Sequence, residues 1–208
     1  MNKAIPAPSA SKDDESAARA LIDAAGAMLR AERGDMPPGF VQLLCGRTAP
    51  EDLATFEPRE LAALAREAWA FLVLRKPGQA KIRFEAPPIE SGPSLKAVSI
   101  LEIVNDDMPF LVDSITNELN RRELGVALLA HPVMAVRRDL DGDLIEVANE
   151  AGPRARRESL MHIEIDRQTD ADGGDPGTLD ALAAALTRVL AEVRMAVEDW
   201  RPMRQACL

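Results

Sequence analysis

The most informative pattern in the chain is a mainly apolar run, followed by a polar turn and then by apolar residues at helical spacing. The run covers residues 98–104 (VSILEIV) and is rich in β-branched side chains, which is typical of a strand buried on both faces. Polar residues 105–107 (NDD) end it, and apolar residues recur at positions 111, 112, 115 and 119. The pattern predicts a strand, an exposed turn and an amphipathic helix.

The turn of this unit is the best candidate for a site. Asp106 or Asp107 could accept hydrogen bonds from the free amides at the helix start, and Pro109 would lie in the first helical turn, where its missing N–H costs nothing. A strand-to-helix unit with an exposed turn is a common ligand-binding geometry. The candidate ligand-binding residues are Asn105, Asp106, Asp107, Met108, Pro109 and Phe110.

Helical patterns fill the sequence before this unit. Residues 1–14 are small, polar and proline-containing, and we expect them to be disordered. Residues 15–78 predict an all-helical subdomain for packing or linkage. Its helices are expected at 16–33, at 40–45, after a Thr48–Glu51 capping box, and from Pro58 to a Lys-Pro-Gly stop at 76–78.

Strand patterns flank the central unit. Residues 81–84 (KIRF) predict a short strand that pairs with the central strand as a wide hairpin. Residues 126–138 predict one long strand, and Pro132 places it at a sheet edge or at a bulge. Residues 144–147 extend a hairpin arm after a turn. Residues 160–166 alternate, so that Met161, Ile163 and Ile165 face one way and His162, Glu164 and Asp166 face the other.

A long helix is predicted from Asp175-Pro176 to about Trp200, roughly 36 Å at about 1.5 Å per residue. The order of elements favours an α+β fold, in which two helices cover a small antiparallel sheet in a ferredoxin-like arrangement within residues 79–208. A ferredoxin-like sheet gains its last strand after the second helix. No strand pattern follows here, so residues 81–84 are expected to take that edge place beside the central strand.

Composition excludes several classes of partner. The formal net charge is −9 and no basic patch is evident, so neither nucleic acid nor an anionic membrane is an expected partner. Aromatic residues make up 3% and tyrosine is absent, which removes the usual stacking platforms for bases. No apolar run reaches 18 residues and the start is polar, which predicts a soluble, cytoplasmic protein.

Three further groups of reactive or charged residues favour structural roles. Cys45 and Cys207 have no CxxC spacing and are expected to be reduced, non-functional thiols. His131 and His162, with Glu164, are more typical of a hydrogen-bonded surface cluster than of a metal site, which needs three converging ligands. The basic stretch with Arg154, Arg156 and Arg157 reads as a solvated loop, although it could bind an anion or an acidic domain.

The turn resembles that of ACT domains, in which a strand meets an Asp-x-Pro-Gly-Leu-Leu-like helix start. The matching residues are Asp107 to Val112 (DMPFLV), with Phe110 where the ACT motif has glycine. The resemblance implies a small amino acid bound at the turn, often across a dimer interface. The helix amides could then bind its carboxylate and an aspartate its ammonium. The Phe110 side chain and the two negative charges oppose this, so a structural N-cap is the alternative.

The chain more specifically resembles the amino-terminal region of the large bacterial NAD-specific glutamate dehydrogenases. The motifs are NDDMPFLVDS, His131-Pro132-Val133, ESLMHIEIDRQ and VEDW, in this order. The resemblance implies a parent enzyme that deaminates L-glutamate to 2-oxoglutarate with NAD⁺. This chain has no GxGxxG turn and no recognisable lysine and aspartate constellation, so we expect no catalytic residue, no cofactor and no activity in it alone.

The leading hypothesis is therefore a non-catalytic regulatory or assembly region, whose partners are the remainder of the parent chain, a second copy, or a small amino acid. Two alternatives remain: a free-standing amino-acid sensor with an ACT-like domain, and an oligomerisation scaffold that binds no ligand.

Overall fold

The computed structural model describes residues 11–32, 34–85, 98–148, 152, 155–166 and 177–206. The helices are α1 (Lys12–Ala31), α2 (Phe40–Cys45), α3 (Pro50–Leu53), α4 (Pro58–Leu72), α5 (Leu111–Arg121) and α6 (Gly177–Ala206). The strands are β1 (Lys81–Glu85), β2 (Val98–Asp106), β3 (Val126–Ala130), β4 (Val133–Arg138), β5 (Leu144–Ala148) and β6 (Arg156–Asp166).

The strands form one antiparallel sheet in the order β1-β2-β6-β4-β5, and β3 also pairs with β6. The predicted α+β fold class is confirmed. The predicted edge place of residues 81–84 is also confirmed, since Lys81 lies opposite Val104 and Glu85 lies opposite Ile100. The sheet therefore takes its edge strand from before the central strand.

The single long strand predicted over residues 126–138 is wrong. His131 and Pro132 separate β3 from β4, and both strands pair along the same side of β6. The break has a local cause, because Pro132 has no N–H to donate to the ladder. Its carbonyl still accepts a hydrogen bond from the Leu160 amide at 3.1 Å, which keeps β3 and β4 aligned on one partner strand.

Each face of the sheet carries a buried hydrophobic core. The predicted alternation in β6 is confirmed: Met161, Ile163 and Ile165 pack in one core with apolar residues of α5 and α6. A second core joins helices α1 to α4 to Val104, Met134, Val136 and Leu160 on the opposite side. These four helices, which we call the helical segment, thus cover part of the face that carries His162 and Glu164. Both of these side chains are buried.

Several helix boundaries differ from the predicted ones. Helix α1 begins at Lys12 rather than Ser16, because Ser11 and Asp14 form a capping box; residues 1–10 of the predicted tail lie outside the described residues. The Thr48–Glu51 capping box is wrong, since the N-cap of α3 is Ala49 and has no side-chain cap. Helix α6 runs to Ala206, about 45 Å at about 1.5 Å per residue.

The predicted basic loop is only partly described. Arg156 and Arg157 belong to strand β6, so the loop assignment is wrong for them, and Arg154 lies outside the described residues. Cys45 lies in the helical core, where burial raises the pKa of its thiol to about 12. Cys207 lies outside the described residues.

Candidate functional site

The polar turn between β2 and α5 is held by arginines from distant parts of the chain. Asp106 accepts from Arg75 and from Arg194 of α6, each at 2.8 Å. Burial alone would raise the pKa of the Asp106 carboxyl, but the two arginines outweigh it and hold that pKa below its ordinary value. The carboxylate therefore joins the segment after α4 to the long helix α6.

Asp107 is tied to strand β6 instead. Its carboxylate accepts from the Arg157 Nε and from the Ser159 hydroxyl, both at 3.0 Å. Its amide also donates to the Arg157 carbonyl at 3.0 Å, which continues the ladder one residue past β2. Asp107 thus fixes the point at which the chain leaves the sheet.

Neither aspartate caps helix α5, so the predicted N-cap is wrong. The N-cap residue is Phe110, with no side-chain cap, and Pro109 lies before the helix rather than in its first turn. The difference has a local cause, because the N-cap lies three residues beyond Asp107 and both carboxylates are already paired with arginines. Met108 is partly buried against the α5 and α6 core, while Pro109 is exposed.

Phe110 has a left-handed backbone and a side chain that is 65% exposed. Its φ is 70°, in a region that glycine adopts freely and other residues rarely do. The backbone geometry is thus one that glycine favours, as at the equivalent place in the motif that the turn resembles. The exposed ring lies beside the helix start.

Asn105 differs from the other turn residues because it is almost completely buried. Its Oδ1 accepts from Arg194 at 3.2 Å, whereas its Nδ2 has no hydrogen-bond partner among the described residues. Asn105 and Arg194 line a cavity of about 490 Å³ between the start of β1 and helix α6. Gly78, Gln79, Thr187, Leu190 and Met195 complete much of its wall.

A buried ion network extends from the turn and was missed by the sequence analysis. Glu158 of β6 pairs with Arg75 at 2.7 Å and with Arg138 of β4 at 2.9 Å, and the side chains of all three residues are at most 3% exposed. Arg138 also donates to the carbonyls of Leu72 and Val73 at the end of α4. Positive charge is favourable at the carboxyl end of a helix. The network therefore joins α4 to the sheet.

Gly142 brings a further backbone contact to this network. Its carbonyl accepts from the Arg75 amide at 3.0 Å and from Arg138 at 2.9 Å. Its φ is 97°, and a Cβ there would lie 2.5 Å from the Arg75 carbonyl oxygen. The close approach requires glycine at this turn.

The histidines do not form the predicted surface cluster. His162 is buried and its Nδ1 lies 3.2 Å from Glu102, the residue directly opposite it on β2. Glu102 also pairs with Arg83. Burial alone would raise the pKa of Glu102, and hydrogen bonds from His162 and Arg83 hold it below its ordinary value. Burial lowers the pKa of His131. No group of three metal-ligating side chains occurs within the described residues.

Comparison with known proteins decides the family. A family model described as the ACT1 domain of glutamate dehydrogenase matches residues 40–186, which include helices α2 to α5 and all six strands. The chain belongs to this family. The match thus covers most of the described fold, and the turn at Asn105–Phe110 lies inside it.

The curated relatives are much longer proteins. An NAD-specific glutamate dehydrogenase of Halomonas elongata is 36% identical over 167 residues, which are 79% of this chain and 10% of the relative. One of Pseudomonas aeruginosa is 36% identical over 147 residues, which are 70% of this chain and 9% of the relative. The chain spans about a tenth of the length of these relatives. No solved structure matches it.

Among the helices that the structure describes, none is both long and apolar enough to cross a lipid bilayer.

Proposed function

We propose that the chain is the non-catalytic regulatory or assembly region of a large NAD-specific glutamate dehydrogenase, and that its partner is the remainder of that enzyme. The proposal rests on the family match and on two relatives that carry this name and are about eight times as long as this chain. The whole protein would deaminate L-glutamate to 2-oxoglutarate with NAD⁺ in the cytoplasm.

The observation that carries a coupling role is the arginine network at the turn. Asp106, Asp107 and Glu158 each bind arginine, and the four arginines come from the segment after α4, from β4, from β6 and from α6. A displacement of α6 would pull on Asp106 and, through Arg75, on the helical segment. Such a connection suits a region that passes a change of position from one surface to another.

The same turn does not fit a dinucleotide. A pyrophosphate site needs glycines and free helix amides, whereas residues 105–110 contain no glycine and carry two negative charges. The NAD of the parent enzyme is therefore assigned to other parts of it.

Among the six candidate residues for a regulatory ligand, we favour Asn105. Asp106 and Asp107 are held by arginines, while Asn105 lines the 490 Å³ cavity and its Nδ2 has no partner among the described residues. A small amino acid fits this chemistry. Its carboxylate would bind Arg194 and the Asn105 Nδ2, and its side chain would pack against Leu190 and Met195.

A thermal-shift series tests this ligand proposal, with L-amino acids, 2-oxoglutarate and NAD⁺ added to the 208-residue chain. Ligand at about 100 times its dissociation constant stabilises by about 2.7 kcal/mol, which raises the melting temperature by about 5 °C or more. Asn105→Ala should abolish the shift. Asp107→Ala should retain it, because Asp107 does not line the cavity, and the exposed Asn117→Ala is the matched control.

The outcomes distinguish a ligand site in the Asn105 cavity, a ligand site at the turn, and assembly without ligand. A shift lost in Asp107→Ala but kept in Asn105→Ala would move the site to the turn itself. The absence of a shift with every compound would contradict the ligand proposal and leave the assembly role.

Assembly without ligand is the second candidate, because the exposed large apolar side chains include one at the turn and one on α6. Phe110 is 65% exposed and Met195 is 58% exposed. Sedimentation velocity at increasing concentration should show a dimer that Phe110→Ser weakens. A monomer at every concentration would contradict self-association through this surface.

A further inference from the structure

A second cavity lies at the opposite end of β2 from the Asp106 turn. It has a volume of about 290 Å³ and is enclosed by α3, by the residues after it, and by the edges of β2, β3 and β6. The residues on which the argument rests are Glu51, Asp52, Phe56, Val98, Leu128 and Glu164. The helical segment and the sheet both contribute to its wall.

Glu164 is the unusual member of this wall. The residue is only 5% exposed, and its Oε1 is fully enclosed with no hydrogen-bond partner among the described residues. A buried carboxylate oxygen without a donor costs about 1–3 kcal/mol or more. Glu102, on the neighbouring strand and equally buried, has His162 and Arg83 as partners. Glu164 is therefore a site where a donor is missing.

The charges around Glu164 also favour a cation. Burial raises the pKa of Glu164, and the charges of Asp52 and Glu60 raise it further, although His162 opposes them. Burial and the Glu51 charge raise the pKa of Asp52. No lysine or arginine lines the cavity among the described residues. A positive ligand would relieve this repulsion and supply the missing donors.

The apolar part of the wall indicates the type of cation. Val98, Leu128 and Phe56 contribute carbon surface, which a hydrated inorganic ion does not need. A water occupies about 30 Å³ in the liquid, so the space holds a molecule of several non-hydrogen atoms. No three metal-ligating side chains converge within the described residues.

We propose that this cavity binds a small primary alkylammonium ion, with the ammonium donating to Glu164 and Asp52 and the alkyl chain packed on Val98, Leu128 and Phe56. The site lies apart from the Asn105 cavity and does not depend on the amino-acid ligand proposed there. It places a small amine between the helical segment and the sheet.

The test is a ¹H–¹⁵N NMR titration of the 208-residue chain with n-butylammonium chloride, compared with tetramethylammonium chloride and sodium chloride at equal ionic strength. Saturable shifts are expected at Asp52, Leu128 and Glu164 with butylammonium only, because tetramethylammonium carries charge but has no N–H to donate.

Glu164→Gln should weaken binding by about tenfold or more, the effect of losing a charged hydrogen bond. Glu146→Gln is the matched control, since Glu146 is an exposed strand glutamate paired with Arg137, and it should bind as the unchanged chain does. Asp52→Asn should also weaken binding, and it keeps the test decisive if Glu164→Gln fails to fold. No saturable shift, equal binding by Glu164→Gln, or equal shifts with tetramethylammonium would overturn the proposal.

Discussion

The two ends of strands β2 and β6 carry the same kind of residue in opposite situations. At one end Asp106, Asp107 and Glu158 each have an arginine within 3.0 Å. At the other end the Glu164 Oε1 is fully enclosed but has no donor among the described residues. The three carboxylates at the first end thus fasten the fold through arginines from distant segments, whereas Glu164 has no such arginine and remains available to a ligand.

The largest loss of folding stability is expected from breaking the arginine network around Glu158. Glu158→Gln removes the negative charge that Arg75 and Arg138 share, and it leaves two buried guanidinium groups with fewer partners. We expect the free energy of unfolding to fall by about 3–5 kcal/mol, as for a broken buried ion pair. Urea denaturation measures it.

The exposed Arg137–Glu146 pair provides the control for that loss. Its side chains are 42% and 59% exposed, so Glu146→Gln should cost at most about 1 kcal/mol. If the two variants were equally stable, the buried network would not hold α4 to the sheet.

At the Glu164 end, removing the carboxylate charge should stabilise the protein rather than destabilise it. Glu164→Gln removes a buried charge without a donor, and we expect it to raise the free energy of unfolding at pH 7 by about 1–2 kcal/mol. The pKa of Glu164 is raised in the folded protein. The favourable contribution of this carboxyl group to folding stability is therefore present below pH 4.5, its ordinary pKa, and is lost as pH rises through the folded pKa. The advantage of the variant should therefore vanish near pH 4 and below. A variant less stable than the parent at pH 7 would show that Glu164 has a donor.

Asp106→Asn should change the acid side of the stability profile in the opposite sense. The folded pKa of Asp106 lies below its ordinary value of 3.8, so its contribution is present above that value and is lost as pH falls through the folded pKa. We expect the variant to be less stable by about 1 kcal/mol at pH 7 and to lose less stability on acidification below pH 4. Denaturation curves between pH 2 and pH 7 measure both effects. Parallel curves for variant and parent would contradict the pairing.

The smallest effect concerns the backbone of the turn. Phe110→Gly replaces an exposed residue at φ 70°, where a side chain costs about 1–2 kcal/mol. Glycine also loses about 0.5–1 kcal/mol more on folding, so a net gain of about 0.5 kcal/mol is expected in thermal unfolding. Leu140→Gly is the control at an exposed position without a left-handed backbone, and it should bring no gain.

Local patterns predicted the parts of the fold that depend on one segment. The alternation of residues 160–166 identified the core face of β6, and the missing strand after the last helix placed residues 81–84 beside β2. Pro132 predicted only a sheet edge or a bulge, because a proline indicates an interrupted ladder. It does not show that the strands before and after it both pair with β6.

The arginine network could not be derived in the same way. Arg75 and Asp106 are 31 residues apart, and only the sheet register brings them together. One signal was present in the sequence: Glu102 and Glu158 stand in or beside apolar strand runs, and a charge in a buried strand requires a partner. That rule predicts that a cation exists without identifying it. The wrong helix cap has a related cause, because both aspartates pair with arginines from distant segments and the helix begins beyond them.

A carboxyl-detected NMR titration of the chain measures the two situations directly, by following the side-chain carbons of Asp106 and Glu164 from pH 2 to pH 8. The account predicts that Asp106 titrates below its ordinary value of 3.8 and that Glu164 titrates above its ordinary value of 4.5. Titration of Glu164 at or below 4.5, together with Asp106 at or above 3.8, would show that the two ends of the sheet do not differ in this way.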